Sequence, residues 1–496
     1  MKSILQGIRD QLQRDPSKHA LISNEGIWDY AQLGEEIRRF QAYFSCFGKD
    51  IGVLIMLDNR PETLAVMLAV GAGNGIGIPI DFNAHYSTFE KVYQHSGASC
   101  LVCTKPVYMR LKRFGELPSS VLLIDVSKGD KGYEAWQELR QEPLSDFQEA
   151  DAGKMAFLMY TSGTTGPSKG VMLSLLNLAC GTEQINAFIG TDYDTVESMP
   201  MPLSHSFGFA RARCILDKGA TLVLEKGMLK SAGILKRMQA YKVNAFSGVP
   251  AAFQILLTKH RQELKALGPI IRFIEIGSAP MHVETRRELM ELFPNARICM
   301  HYGLTEASRS SFIEFHSDSN KLHTVGKPSP GVEIQILNEK LEILSYGKTG
   351  QIAIKGCTTM QGYFRDLERT KSAYHKGFLL TGDQGHFDED GYLVFEGRQQ
   401  DILNLGGLKA GCLEIEAVIN GLDGILECAV IAASDSNHFY VRAFVVAEKE
   451  LDPQELRKSC ASYLEAYKIP EAWDFVERLP KTPNGKLIRA KLYTSN

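Results

Sequence analysis

Between Tyr160 and Gly170 the chain reads YTSGTTGPSKG, a run of glycines and hydroxyl side chains that ends in a lysine. Small residues let backbone N–H groups come close to an anion, which makes such a loop a cradle for phosphate oxygens. Thr161, Ser162, Thr164 and Thr165 add hydroxyl donors around Gly163, and Lys169 adds a full positive charge. The loop follows one apolar run, Met155 to Tyr160, and precedes another, Val171 to Leu173, so it is expected as a turn between them. It is not a Walker A loop, which needs Gly-Lys-Ser/Thr with the last hydroxyl on magnesium. Here the corresponding residues are Ser168, Lys169 and Gly170, and the metal-binding hydroxyl is missing. A second isolated lysine, Lys486, stands near the end of the chain in PKTPNGK.

Other short segments carry groups of the same chemical kind. HYGLTE, His301 to Glu306, offers an aromatic ring, a hydroxyl and a carboxylate. GSAP, Gly277 to Pro280, is built of small residues, and TGD, Thr381 to Asp383, ends in a carboxylate. Taken singly, Asp383 also fits a hairpin turn, Glu306 a solvated acid and Tyr302 a core aromatic. The joint occurrence of the segments carries the information. Activating a carboxylate with ATP brings one anion onto another. A site for it must neutralise the triphosphate and hold the acid in line with the α-phosphorus.

In their order these motifs resemble the acyl-adenylating superfamily of acyl- and aryl-CoA ligases, adenylation domains of nonribosomal peptide synthetases, and firefly luciferase. The resemblance runs from about Ile22 to Lys491. It implies that Thr161 to Lys169 grip the β- and γ-phosphates. It places Tyr302 and Gly303 at the adenine, Thr305 at the α-phosphate and Glu306 on Mg2+, a hard cation that prefers such a carboxylate. Ser278, Ala279 and Pro280 would line the base, where small residues leave it room, and Gly277 the acyl pocket. Asp383 and Arg398 would hold the ribose, and Lys486 would bridge carboxylate and α-phosphate, a task suited to a flexible point charge.

The resemblance also implies a thiol step, in which the small domain turns about a hinge and withdraws the lysine. The hinge position is Gln400, where the family usually has Asp or Lys. GGLKAG, Gly406 to Gly411, keeps the Gly406, Gly407 and Lys409 of the loop that borders the pantetheine channel. In PLSHSFGFA, Pro202 to Ala210, His205 and Phe207 resemble the gating histidine and aromatic of the acyl pocket. Amino-acid-activating domains typically place an aspartate after that aromatic to pair the α-ammonium, and here the position is Gly208. An ammonium buried without a partner is costly, so an aryl or aliphatic acid is expected. Arg211, Arg213 and Arg309 read as exposed or structurally paired rather than as readers of a second anion. The expected reaction uses ATP, Mg2+ and coenzyme A. The alternatives are transfer to the phosphopantetheine arm of a separate carrier protein, or a luciferase-like oxygenase. An inactive interaction protein should have lost one of Lys169, Glu306, Asp383 or Lys486, and all four are present.

These residues need a large scaffold. At 496 residues the chain exceeds one ordinary core. Helical and strand patterns alternate from Ile4 to Phe315, as in α/β proteins with largely parallel sheets. Examples are strands at Ala220 to Glu225, Asn244 to Gly248 and Arg272 to Gly277, with helices at Ala232 to Tyr241, Ala251 to His260 and Val283 to Leu292. From Thr324 to Arg398 short strands recur between Gly, Pro and Asp turns: Val332 to Leu337, Gly350 to Lys355, Gly377 to Leu380 and Tyr392 to Glu396. A compact α+β unit follows, with a helix at Pro453 to Tyr463 capped by Asp452. The expected organisation is a multilayer α/β adenylation domain over 1–399 that includes a β-rich subdomain at about 324–398. A small mobile α+β domain, 400–496, completes it.

A formal charge of −3 supplies no basic field for nucleic acid. Gly71, Gly73, Asn74, Gly75 and Gly77 break the longest uncharged run, Thr63 to Ile80, into a short helix and a strand rather than a membrane span. The first residues lack the apolar core of a secretory signal, nothing after Lys491 has the length of a carrier domain, and a cytoplasmic protein is expected. The ten cysteines are scattered, and Cys100 and Cys103 are expected in a buried strand rather than on zinc.

Overall fold

The computed structural model describes residues 3–124, 139, 146–161, 169–398, 402–405, 408–435, 438–481 and 487–494. They form two compact units, the first built from the described residues within 3–161, 169–333 and 355–379, the second from those within 334–354 and 380–494.

The first unit holds two large sheets. One has nine strands, of which six run parallel: Arg297–Tyr302, Phe273–Ile276, Ala245–Gly248, Val196–Met199, Thr221–Leu224 and His19–Ile22, in that spatial order. Antiparallel strands close both edges, Ser311–Glu314 and then Lys327–Pro328 beyond Arg297–Tyr302, and Ile27–Asp29 beside His19–Ile22. Three of the parallel strands, Thr221–Leu224, Ala245–Gly248 and Phe273–Ile276, are buried from end to end, as expected of strands covered on both faces. Phe246, Phe253, Leu256, Ile274 and Leu289 belong to the core beneath them.

The second sheet has seven strands. Its parallel part is Met155–Thr161, Ile76–Pro79, Gly52–Met56, Cys100–Thr104 and Ser120–Ile124. Lys169–Ser174 and then Gly362–Tyr363 join antiparallel at one edge. Cys100 and Cys103 are buried free thiols in one of these strands, as their apolar surroundings predict. The run from Thr63 is the expected helix and strand, Pro61–Ala72 and Ile76–Pro79, and no described helix is long and apolar enough to cross a membrane.

Several sequence-predicted elements match closely, including the helix Val283–Leu292 and the strand Val332–Leu337. Two run longer than expected. The helix Pro250–Leu267 continues past His260, whose φ of −140° marks a kink, and Leu264 and Leu267 carry its buried face onward. The strand Phe378–Phe387 runs through Gly382 and Gly385 because it pairs with Leu393–Arg398 across a bulge.

The second unit has its own core. The helix Cys412–Asn420 packs beside the antiparallel strands Ile425–Asp435 and His438–Ala447, and Ala472–Phe475 joins in parallel. The helix Pro453–Cys460 starts as predicted, with Asp452 accepting from the Gln454 N–H.

Candidate active site

In an open α/β sheet, ligands bind beyond the carboxyl ends of parallel strands, where loops can vary without disturbing the core. Four chemically distinctive segments emerge at that edge of the nine-stranded sheet. PLSHSF follows Val196–Met199, GVP follows the end of Ala245–Gly248, GSAP follows Phe273–Ile276, and GLTE follows Arg297–Tyr302. The register Ile276↔Met300 sets Gly277 and His301 side by side. A Cβ on Gly277 would lie 2.1 Å from the His301 ring, so glycine is required there. Ser278 adopts φ +75°, a strained geometry for a residue with a side chain.

The HYGLTE segment makes a tight turn. The Leu304 N–H donates to the Ala307 carbonyl at 2.9 Å, which leaves Thr305 and Glu306 at the tip. The Thr305 hydroxyl is 3.5 Å from that of Ser206, at the start of the helix Ser206–Asp217. His205 is the N-cap of the same helix, and Phe207 is buried in its first turn. A Cβ on Gly208 would meet the Pro202 carbonyl oxygen at 2.3 Å. The missing side chain is therefore dictated by the close passage of the helix over the 201–202 backbone. This packing reason adds to the expectation drawn from substrate charge.

Beneath this wall lies a buried ion cluster that the sequence reading did not assemble. Glu275 and Glu197 face Arg211, and Glu275 also faces Arg309 at 3.2 Å and His301 Nδ1 at 2.7 Å. Burial alone would raise the Glu275 carboxyl, but Arg309, His301 and Arg211 outweigh it and hold it down to about 2. Burial, aided by Arg309, lowers the His301 imidazole from its ordinary value, and its Nδ1 faces Glu275 Oε1 across 2.7 Å. The His301 ring meets Phe207 edge-on at 4.8 Å, and the Arg309 guanidinium lies 4.8 Å from the centre of the same phenylalanine. Arg211 and Arg309 are thus structural partners. Arg213 is buried against Phe209, with its Nε donating to Thr182. The available signal was an acid in the middle of each apolar strand, FIEI and VESM.

The phosphate-loop segment is closed by a strand pair. Thr161 and Lys169 are cross-strand partners in an antiparallel pair. Ser162, Gly163, Thr164 and Thr165 lie outside the described residues. The Lys169 Nζ sits 5.4 Å from the centre of the Tyr363 ring, and the Tyr363 hydroxyl donates to Glu306 Oε1 at 3.1 Å. Tyr363 therefore ties the loop lysine to the carboxylate expected on magnesium. The sequence offered only an aromatic after a glycine, Gly362-Tyr363. Among the described residues no group of three acid, histidine or cysteine side chains could hold a metal. A single carboxylate suits magnesium, which takes one or two protein oxygens and completes its shell with phosphates and water.

Of the remaining predicted residues, Asp383, Arg398 and Lys409 belong to the second unit. Asp383 is buried opposite Arg398 in paired strands, with Arg398 Nε 3.4 Å from Asp383 Oδ1. Thr381 braces the turn, accepting from the Asp383 N–H and donating to the Ile352 carbonyl. Lys409 lies on the strand Leu408–Gly411, opposite Asn404. Gly406, Gly407, Gln400 and Lys486 fall outside the described residues. Lys481 and Leu487, which flank Lys486, form an antiparallel bridge.

Comparisons with known proteins bear on the family and the fold. Residues 8–364 match the family model for AMP-binding enzymes, and 414–486 match its C-terminal domain. The chain is 28% identical over 98% of both lengths to a 2-succinylbenzoate–CoA ligase of Bacillus licheniformis. It is also 28% identical to a long-chain-fatty-acid–CoA ligase of Bacillus subtilis, over 99% of this chain and 94% of that one. The ATP-bound structure of MatB from Rhodopseudomonas palustris superposes with a TM-score of 0.89 at 26% identity, covering 99% of this chain and 98% of that one.

Proposed function

Because the chain belongs to the family of AMP-binding enzymes, we propose that the arrangement above makes an acyl-adenylate from ATP and a carboxylic acid without an α-amino group, then an acyl thioester on coenzyme A. The enzyme is an AMP-forming acid–thiol ligase. The observation that carries the residue assignment is the convergence of four segments at one sheet edge, together with Tyr363 joining Lys169 to Glu306.

In the first half-reaction the substrate carboxylate attacks the α-phosphorus and pyrophosphate leaves. Lys169 and the hydroxyls of its loop balance charge on the β- and γ-phosphates, and Thr305 donates to the α-phosphate. Tyr302 and the Ser278–Pro280 segment flank the base, while Asp383 and Arg398 hold the ribose. Glu306 would hold magnesium, which neutralises phosphate oxygens when bound. Lys486 supplies a charge between carboxylate and α-phosphate. In the second half-reaction the coenzyme A thiolate attacks the acyl carbonyl and AMP leaves. The 400–496 domain turns about Gln400 between the two steps and presents Gly406, Gly407 and Lys409 to the pantetheine. His205, Phe207 and Gly277 border the acyl group. The two relatives named above are equally similar to this chain and act on unlike acids, so similarity leaves the choice of acid to the pocket.

Pyrophosphate exchange into ATP, measured across aryl, fatty and amino acids, tests this reading. Exchange should require magnesium and an acid without an α-amino group, and stimulation by amino acids alone would overturn it. Coenzyme A and a phosphopantetheinylated carrier protein, offered in turn, identify the thiol acceptor. Lys486→Ala should slow exchange about a hundred- to a thousandfold and spare thioester formation from supplied acyl-adenylate. Equal loss in both half-reactions contradicts the turning domain.

A further inference from the structure

The helix Leu175–Ile189 carries Asn177, Cys180, Gly181 and Gln184 at spacings of three and four residues, which brings them to one face. The segment that follows the strand Gly350–Gly356 lies along this face. Asn177 Nδ2 donates to the carbonyls of Cys357 and Thr359 at 2.8 and 2.9 Å. Gln184 Nε2 points at Cys357 Sγ from 3.7 Å, and a Cβ on Gly181 would meet Thr358 at 3.9 Å. Cys180 therefore stands on the helix face between two residues that both touch Cys357, and the two thiols are near enough to interact electrostatically. Both are free; Cys357 is exposed and Cys180 half-buried, whereas all the others but Cys46 are buried.

The Cys357 segment is also bound to the site. The Met360 N–H donates to the Glu306 carbonyl at 2.8 Å, Thr359 bridges to Ala307, and Tyr363 donates to the Glu306 carboxylate. We infer that Cys180 and Cys357 are an oxidative modification site, closing to a reversible disulfide that pins the segment holding Glu306 to the helix.

The oxidant is a small-molecule disulfide such as oxidised glutathione. The exposed Cys357 thiolate attacks one of its sulfurs and expels a glutathione thiolate. Cys180 gives up its proton, attacks the Cys357 sulfur of the mixed disulfide and expels the second glutathione. Two electrons pass to the small disulfide, and the two protein thiol protons leave with the released thiols. Burial and the neighbouring thiol push Cys180 up to about 12, which makes it the resolving partner rather than the first to react. With the segment pinned, the Glu306 turn loses the freedom to adjust to nucleotide, and adenylation slows.

The test treats the full chain with oxidised glutathione, then digests it without reduction for mass spectrometry. A peptide containing Cys180 should be joined to one containing Cys357. The thermal midpoint should rise by roughly 2 °C or more. Acid-dependent exchange should fall about fivefold, the scale of a modest coupling between sites. Dithiothreitol should reverse all three. Cys180→Ser should stop at a glutathione adduct on Cys357, and Cys357→Ser should give no cross-link. A wild-type chain that keeps the adduct without closing overturns the pair, and a closed pair with unchanged exchange overturns its coupling to Glu306. The exchange arm rests on the adenylation reading. The cross-link and the midpoint do not, so they decide the modification site even if that reading fails.

Discussion

The two large sheets of the first unit each carry part of the candidate site, and they hold it by opposite means. Behind the wall of the nine-stranded sheet lie two carboxylates and two guanidiniums, all buried, fixing the His301 and Phe207 rings. Behind the phosphate loop, the seven-stranded sheet packs apolar side chains onto glycines: a Cβ on Gly77 or Gly71 would meet the Phe157 ring within 2.6 Å. Its loop lysine, Lys169, is half-buried at the start of its strand. A flat base and an acyl chain need surfaces held at fixed angles, which directional charge pairs supply. A triphosphate needs a charge with room to move, for which an apolar base and a rigid register are enough.

The sharpest way to break this contrast is Glu275→Gln. Removing one member of a buried ion cluster strands its partners and should cost about 3–5 kcal/mol, measured by denaturant unfolding. The pH dependence carries the same information. Glu275 is depressed in the folded state to about 2, below its unfolded value, so its contribution is full above about pH 4.3 and fades as pH falls toward 2. The variant should flatten the acid limb of stability in that window. An unchanged limb would mean that the cluster does not hold the wall.

Lys169→Ala should show the reverse pattern. Exchange should fall about a hundredfold, while the thermal midpoint barely moves, as expected for a side chain that is only half-buried. A large loss of stability would erase the distinction between the two sheets. Gly77→Ala should cost about 1–3 kcal/mol by overpacking Phe157, and equilibrium unfolding beside wild type measures it. Tyr363→Phe removes one hydrogen bond to a carboxylate, worth about 1.5–3 kcal/mol at most. It should raise the magnesium concentration needed for half-maximal exchange and leave the acid KM alone.

Local signals made much of this legible in the sequence. The strand pair that joins Thr161 to Lys169 and the Asp452 cap each depend on residues close in the chain. The Cys100–Cys103 strand was readable from its apolar neighbours for the same reason. The ion cluster was not, because Glu197, Glu275 and Arg309 meet only after four crossover connections have been made. Tyr363 escaped notice because its strand is two residues long and finds its place by pairing with Lys169–Ser174. The Pro250–Leu267 helix outran its expected end because one kinked residue did not interrupt the apolar face.

The closeness of Gly208 to the Pro202 carbonyl sets a limit on how this protein can change its diet. A lineage drawn toward amino acids would need an acidic side chain to meet the ammonium, and position 208 is where relatives of that kind place it. In this backbone the first carbon of any such side chain is already occupied by a peptide group. The change would have to begin in the 201–202 backbone, with some movement of the helix, before an acid at 208 brought any benefit. A single substitution is thus shut out by geometry, and selection on this scaffold is steered toward acids that ask for no counter-charge there.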